Sequence, residues 1–361
     1  MAPKKKIRKV PAVKVISQHV SVHDHLGEGL GSFLESAKFL EVKLVKETLT
    51  TLVGLLPNYR EEGHQLFPEI FIIDDLTSAL KTLPNSEQVK IGSGARTPET
   101  LGLVVKRCAP LAQFGWSIYI WPTKTGFQYG LLRCGLTALS LTASEQLIDQ
   151  GEEAIPAILI RQISNQTIEI SSANQCELLV HFGAAQQPGR SPDLETQQFC
   201  LSTVTDVPEH LKTQVYNFYW RLFERVLMGG HGCLAAVLRR SKRTLPLHLR
   251  DGVMIAPRID VAARVGAVLA TSTSENDTQL RATAALIRGM LFSDGVTVLR
   301  SDGSVMAYNV FVKSSTSLAG KGATFGGARR RAFGELSNWV GGELKSAFFL
   351  SQDGHAEFRG K

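Results

Sequence analysis

Three consecutive arginines, Arg329, Arg330 and Arg331, stand where the hydrophobic pattern begins a helix. In the stretch that opens GGARRR at Gly326, the residues Ala332, Phe333, Leu336, Trp339 and Val340 share one helical face. Gly326 and Gly327 therefore precede the first turn. A helix N-terminus carries roughly half a positive charge, so each arginine there costs a few tenths to about 1 kcal/mol unless an anion sits among them. Unpaired main-chain N–H groups, a glycine turn and guanidinium forks together describe a phosphate site. A carboxylate network or a solvated face accounts equally well for the same residues.

Other residues with chemical potential are weaker. His231 opens an apolar run beside a glycine and reads as a histidine capping that turn, with proximity to a site as the alternative. Gly92-Ser93-Gly94-Ala95-Arg96 could cradle a phosphate but lacks the Lys-Ser/Thr ending of a P-loop. His19, His23, Asp24 and His25 have no partner at metal-ligand spacing. Residues 31–205 offer no nucleophile, base and orienter in recognisable order.

The elements that must position the arginines follow from periodicity and turn residues. A helix over His210–Met228 ends at Gly229-Gly230 and leads into a strand over His231–Leu238. Asp251–Ile255 reads as a short strand and Asn276–Met290 as a helix. Gly295–Leu299 and Val305–Val312 flank Ser301-Asp302-Gly303-Ser304, a strong hairpin signal. Ala347–Leu350 and Ala356–Phe358 form a last hairpin across Asp353-Gly354. Upstream, Phe33–Leu56 is helical, Pro98–Pro110 is a helix, and short β-rich runs recur from Ile70 to His181, with a hairpin joining Trp116–Trp121 to Phe127–Arg133. Ala185–Gln198 has the composition of an exposed connection. The expected fold is α/β of the α+β kind, a mixed sheet flanked by helices. Its expected organisation is a basic tail at residues 1–30, an α/β accessory domain at 31–205 and a C-terminal domain at 206–361.

The chain has 361 residues, 43% of them hydrophobic, enough for two cores. No apolar run approaches the roughly 20 residues of a membrane span, and no secretory signal is visible, so a cytoplasmic protein with no membrane partner is expected. Five scattered cysteines fit a reducing compartment. The formal charge of +7 is concentrated at Lys4, Lys5, Lys6, Arg8, Lys9 and Lys14, and without that tail the body is nearly neutral. Nucleic-acid binding is expected only through this tail, which otherwise reads as a solvated end.

The order of the C-terminal segments resembles the diadenylate cyclase domain. The resemblance is carried by Gly232–Leu238, Ser293-Asp294-Gly295-Val296, Asn309-Val310-Phe311-Val312, Gly327-Ala328-Arg329-Arg330-Arg331-Ala332 and Phe348-Phe349-Leu350-Ser351-Gln352. It covers about residues 210–361. In that family two domains meet face to face and condense two ATP molecules into cyclic di-AMP with a divalent ion. The resemblance thus implies a homodimer through the C-terminal domain, with Mg²⁺ or Mn²⁺ at Asp294 if the protein is catalytic. It puts Gly295, Val296, Val312, Gly327, Arg329, Arg330, Arg331 and Ser351 at the nucleotide. In-line displacement at phosphorus needs such a carboxylate-held ion and nearby cations. The family's histidine between two arginines is Arg330 here, its threonine after glycine is Ala328, and its alanine after Asp-Gly is Val296. Arginine cannot exchange a proton near neutral pH as histidine can. With Asn309-Val310, these changes resemble the diverged sensor branch of the superfamily, named for its Asn-Val feature. The expected function is a sensor of ATP or a cyclic dinucleotide; the alternative is an active diadenylate cyclase.

Overall fold

A computed structural model describes residues 17–361 except 22–25, 38, 40, 62–63, 114, 136, 150–154, 165–166, 174–175, 183–191, 229–230, 314–326 and 353. The lysine-rich tail, His23, Asp24, His25, Gly229, Gly230, Gly326 and Asp353 lie outside the described residues.

The first half runs β1 (Ser17–Ser21), α1 (Leu26–Ala37), α2 (Val42–Leu55), β2 (Arg60–Glu61), β3 (His64–Gln65), β4 (Ile70–Ile73), α3 (Leu76–Thr82), β5 (Glu87–Gly94), α4 (Pro98–Cys108), β6 (Ser117–Thr123), β7 (Gly126–Arg133), β8 (Ala157–Ser164), β9 (Thr167–Ser172) and β10 (Glu177–His181). Eight strands form one mixed sheet, in the order β1-β10-β9-β8-β4-β6-β7-β5. Its central strand β4 is an unbroken apolar run because both faces are covered: Ile70 and Ile72 enter the core beneath α1, α2 and α4, while Phe71 and Ile73 enter a second core with α3. The hairpin across Thr125-Gly126 forms as expected.

The second half runs α5 (Pro192–Thr203), α6 (Glu209–Met228), β11 (Cys233–Leu238), β12 (Leu249–Arg250), β13 (Val253–Asp260), α7 (Val261–Ala270), α8 (Ser274–Phe292), β14 (Val296–Arg300), β15 (Ser304–Val312), α9 (Ala328–Trp339), β16 (Leu344–Leu350) and β17 (Ala356–Gly360). Its mixed sheet has the order β12-β15-β14-β11-β16-β17, with β13 also paired to β15. Strand β11 alternates: Cys233, Ala235 and Val237 face the core under α5 to α8, and Leu234, Ala236 and Leu238 face the core under α9. The α+β fold read from the sequence is therefore present, as two mixed sheets flanked by helices.

One expectation is corrected. The polar stretch Ala185–Gln198 contains the start of α5, and Glu195 and Thr196 are fully buried. Glu195 accepts a hydrogen bond from the Phe358 backbone at 2.6 Å, and Phe199 packs against Phe223 and Phe348 with centroids 5.2 and 5.1 Å apart. Helix α5 thus belongs to the second core although it precedes residue 205. Composition hid it because its buried polar residues are satisfied within the protein, Glu195 by strand β17 and Thr196 by its own helix, rather than by solvent.

Helix α6 joins the halves. Arg221 pairs with Glu145 at 2.8 Å, and Glu224 accepts from Arg161 at 2.7 Å, which also pairs with Glu169 at 3.1 Å. Among the described residues no helix is long and apolar enough to cross a membrane.

Candidate functional site

Strand register brings distant segments to one end of the second sheet. Cys233 at the start of β11 pairs with Leu350 at the end of β16, and Val296 at the start of β14 pairs with Val310 near the end of β15. Strands β11 and β14 are parallel neighbours, so Gly232 and Asp294-Gly295 enter the sheet at the same end. Helix α9 lies over this face with Phe333 and Leu336 buried, which delivers its first turn to that end. Four of the five segments named from the sequence therefore meet around the start of the fifth.

The backbone there explains the glycines. Gly232 has no room for a side chain: a Cβ would lie 2.8 Å from the Leu350 carbonyl oxygen. Gly295 has φ +86°, and its Cβ would meet the Val310 carbonyl oxygen at 2.8 Å. Asn309 has φ +53° where the β14–β15 register shifts, a left-handed position that asparagine tolerates better than most residues. The Val310 side chain then packs where Gly252 leaves space, and its backbone runs against Gly295. The Asn-Val pair accordingly has a backbone cause: one residue makes the bulge and the next fills the gap.

Arg329 turns inward. Its side chain is 26% exposed and its Nη2 lies 3.2 Å from Asp294 Oδ1, while Asp294 itself is 85% exposed. The Arg329 Nε is buried and has no hydrogen-bond partner among the described residues. Burial pushes the Cys233 thiol up to about 12, against the opposing pull of the Arg329 charge, so this thiol is a core residue and not a nucleophile. Helix α9 begins at Gly327, which supplies no side-chain cap; α3, α4, α7 and α8 start instead at Asp75, Thr97, Asp260 and Thr273, whose side chains accept backbone hydrogen bonds.

The remaining expected site residues are placed differently. Arg330 pairs with Glu357 and lies over the Phe349 ring at 5.4 Å. Glu357 also takes His355 Nε2 at 2.8 Å; burial would raise its carboxyl, but the bonds from His355 and Arg330 hold it below its ordinary range. Arg331 is exposed. The Ser351 hydroxyl accepts from the His355 backbone at 2.9 Å, so it holds the β16–β17 turn. Val296 was expected to line a ligand, but it is 1% exposed and sits in the core under α9, where a branched side chain fills space between sheet and helix. Val312 pairs with Leu249 of β12 and packs against the same core. His231 directs Nδ1 to the Gly232 carbonyl at 2.9 Å and packs on Phe292, the turn-capping role.

The glycine run at 92–96 is no cradle: Gly92 and Gly94 lie in β5 against Tyr129 and Thr100, and Arg96 is tied to Glu41 at 2.6 Å. All five cysteines are unpaired, and among the described residues no three His, Cys, Asp or Glu side chains are grouped to hold a metal. Asp294 is the most solvent-exposed carboxylate of this sheet end among the described residues. The opposite end of the same sheet holds a basic cleft for which the sequence offered one signal, the run Arg239-Arg240-Ser241-Lys242-Arg243.

Comparison with known proteins finds no matching family model, no matching curated protein and no matching solved structure.

Proposed function

We propose that the C-terminal half is a nucleotide-sensing module of the diadenylate cyclase superfamily that binds phosphate groups of ATP or a cyclic dinucleotide at Arg329, with weak or no turnover. The carrying observation is Arg329 itself: an inward guanidinium at a helix start that Gly327 cannot cap with a side chain, with one nitrogen unpartnered among the described residues and an 85% exposed carboxylate as its ion-pair partner. An ion pair to so exposed a group is worth little, so a phosphate offering several acceptor oxygens can displace Asp294 and gain charge-assisted bonds. Displacing Asp294 changes the entry to β14 at Gly295, which abuts the Asn309 bulge, so occupancy has a route into the sheet. Arg330, engaged by Glu357 and unable to exchange protons, argues for binding over catalysis.

The second reading is an active cyclase. The exposure of Asp294 favours it, since a carboxylate reachable by solvent can take Mg²⁺ or Mn²⁺ once Arg329 turns to phosphate. The test is to incubate the protein with ATP and either ion and resolve nucleotides by chromatography and mass spectrometry, beside Asp294→Asn. Cyclic di-AMP from the unmodified protein alone establishes the cyclase. No product, with nucleotides raising Tm in the unmodified protein and not in Arg329→Ala, supports the sensor. No product and no Tm shift removes both.

A further inference from the structure

The other end of the C-terminal sheet carries a cleft of about 1130 Å³ lined by seven cationic side chains and one carboxylate. It opens at the carboxyl ends of the parallel strands β11 and β14, the end at which open α/β sheets form ligand crevices. Arg239, Arg240 and Arg243 come from the segment after β11, and Arg300 ends β14. Arg258 from β13, with Lys345 of β16 and Lys361 beyond β17, completes the wall. The single carboxylate, Asp206, already accepts from the Ser301 hydroxyl. Among the described residues Arg240, Arg243, Arg258, Lys345 and Lys361 form no ion pair.

Arg300 is 4% exposed and is the deepest of these cations. Its Nη2 reaches Asp302 at 3.3 Å and the Arg240 carbonyl, while its Nε is buried without a partner among the described residues. Burial, and then the neighbouring Arg258, Arg240 and Arg243, disfavours its charged form against the pull of Asp302. Concentrating like charge in one concavity is unfavourable unless an anion completes it.

The lining selects the anion. Small-molecule pockets are mostly apolar with a few polar anchors, whereas this one has, among the described residues, neither an aromatic nor a large aliphatic side chain. A nucleobase would find no aromatic ring to stack on, only guanidinium planes. The cations converge on one concavity with a buried arginine at its base instead of forming a track along which a strand could lie. We propose that this cleft binds a compact polyphosphorylated small molecule, bearing three or more phosphate groups, at a site separate from Arg329. The five residue steps of β11 put roughly 17 Å between the two ends of the sheet.

The test titrates the full chain with inorganic tripolyphosphate by calorimetry at physiological salt. The same titration is made on Arg243→Glu/Arg258→Glu, on Lys361→Glu and on Lys106→Glu, with a fluorescent single-stranded oligonucleotide as competitor. The proposal expects the double variant to lose at least about tenfold in affinity, Lys361→Glu to lose less, and Lys106→Glu, exposed on α4 of the other half, to stay within about twofold, because separate charge-assisted contacts hold the ligand. Should the double variant fail to fold, Lys361→Glu, exposed beyond the last strand, decides alone. Unchanged affinity in the cleft variants, no tripolyphosphate binding, or loss of all binding on removing residues 1–16 overturns it. An oligonucleotide that binds more tightly than tripolyphosphate, and loses that binding in the cleft variants, overturns the ligand class in favour of nucleic acid.

Discussion

Arg329 and Gly295 make different kinds of claim about the same sheet end. Truncating Arg329 removes charge-assisted contacts to phosphate, so Arg329→Ala is expected to weaken ATP or cyclic-dinucleotide binding by about 1.5 kcal/mol or more. Calorimetry on the variant checks this, and unchanged affinity would remove the proposed site. Gly295→Ala tests the backbone. With φ +86° and the Val310 carbonyl 2.8 Å from the new methyl, the substitution is expected to destabilise by about 1–3 kcal/mol. Urea unfolding measures it, and a loss within error would mean that β14 and β15 yield more easily than their register suggests. The glycines were legible as turn residues, but the reason for each was not, since it depends on a carbonyl from another strand.

At the scale of elements, helix α6 is the hinge of the molecule's electrostatics. Burial pushes the Glu224 carboxyl up to about 7 against the pull of Arg161; burial and the nearby Glu169 push Glu177 up to about 7 as well, again opposed by Arg161. The folded state therefore keeps protons that unfolded carboxylates release near pH 4.3. The stabilisation is complete below that value and is lost as pH rises through about 7. Glu224→Gln, which leaves Arg161 its bond to Glu169, should flatten the fall in Tm between about pH 5 and 7. Scanning fluorimetry across that range decides it: an equally steep fall in the variant would assign the slope to other groups. Helix α6 was readable from periodicity, yet its partners Arg161 and Glu145 lie on elements of the other half, beyond any local pattern.

For the whole molecule, α5 decides where the second core begins. A chain starting at residue 192 should fold cooperatively, whereas one starting at 206 loses Phe199 and the Glu195 bond to β17 and is expected to lose about 3–5 kcal/mol, enough to unfold a marginal domain. Circular dichroism on thermal unfolding compares them, and equal Tm values would return α5 to a linker role. The sequence by itself determined the α+β class, the strands β11 and β14 to β17, helices α6, α8 and α9, and an arginine cluster at a helix start, because these rest on short-range periodicity and turn chemistry. Only the tertiary structure decided where each arginine goes: Arg329 meets Asp294, Arg330 is taken by Glu357 and Arg331 stays exposed, since a helix turns each successive side chain by about 100° toward different neighbours. The basic cleft likewise exists only in three dimensions. The body is nearly neutral overall, and the second sheet, with β11, β13, β14, β16 and β17 all reaching one end, brings seven cationic side chains of distant segments together there.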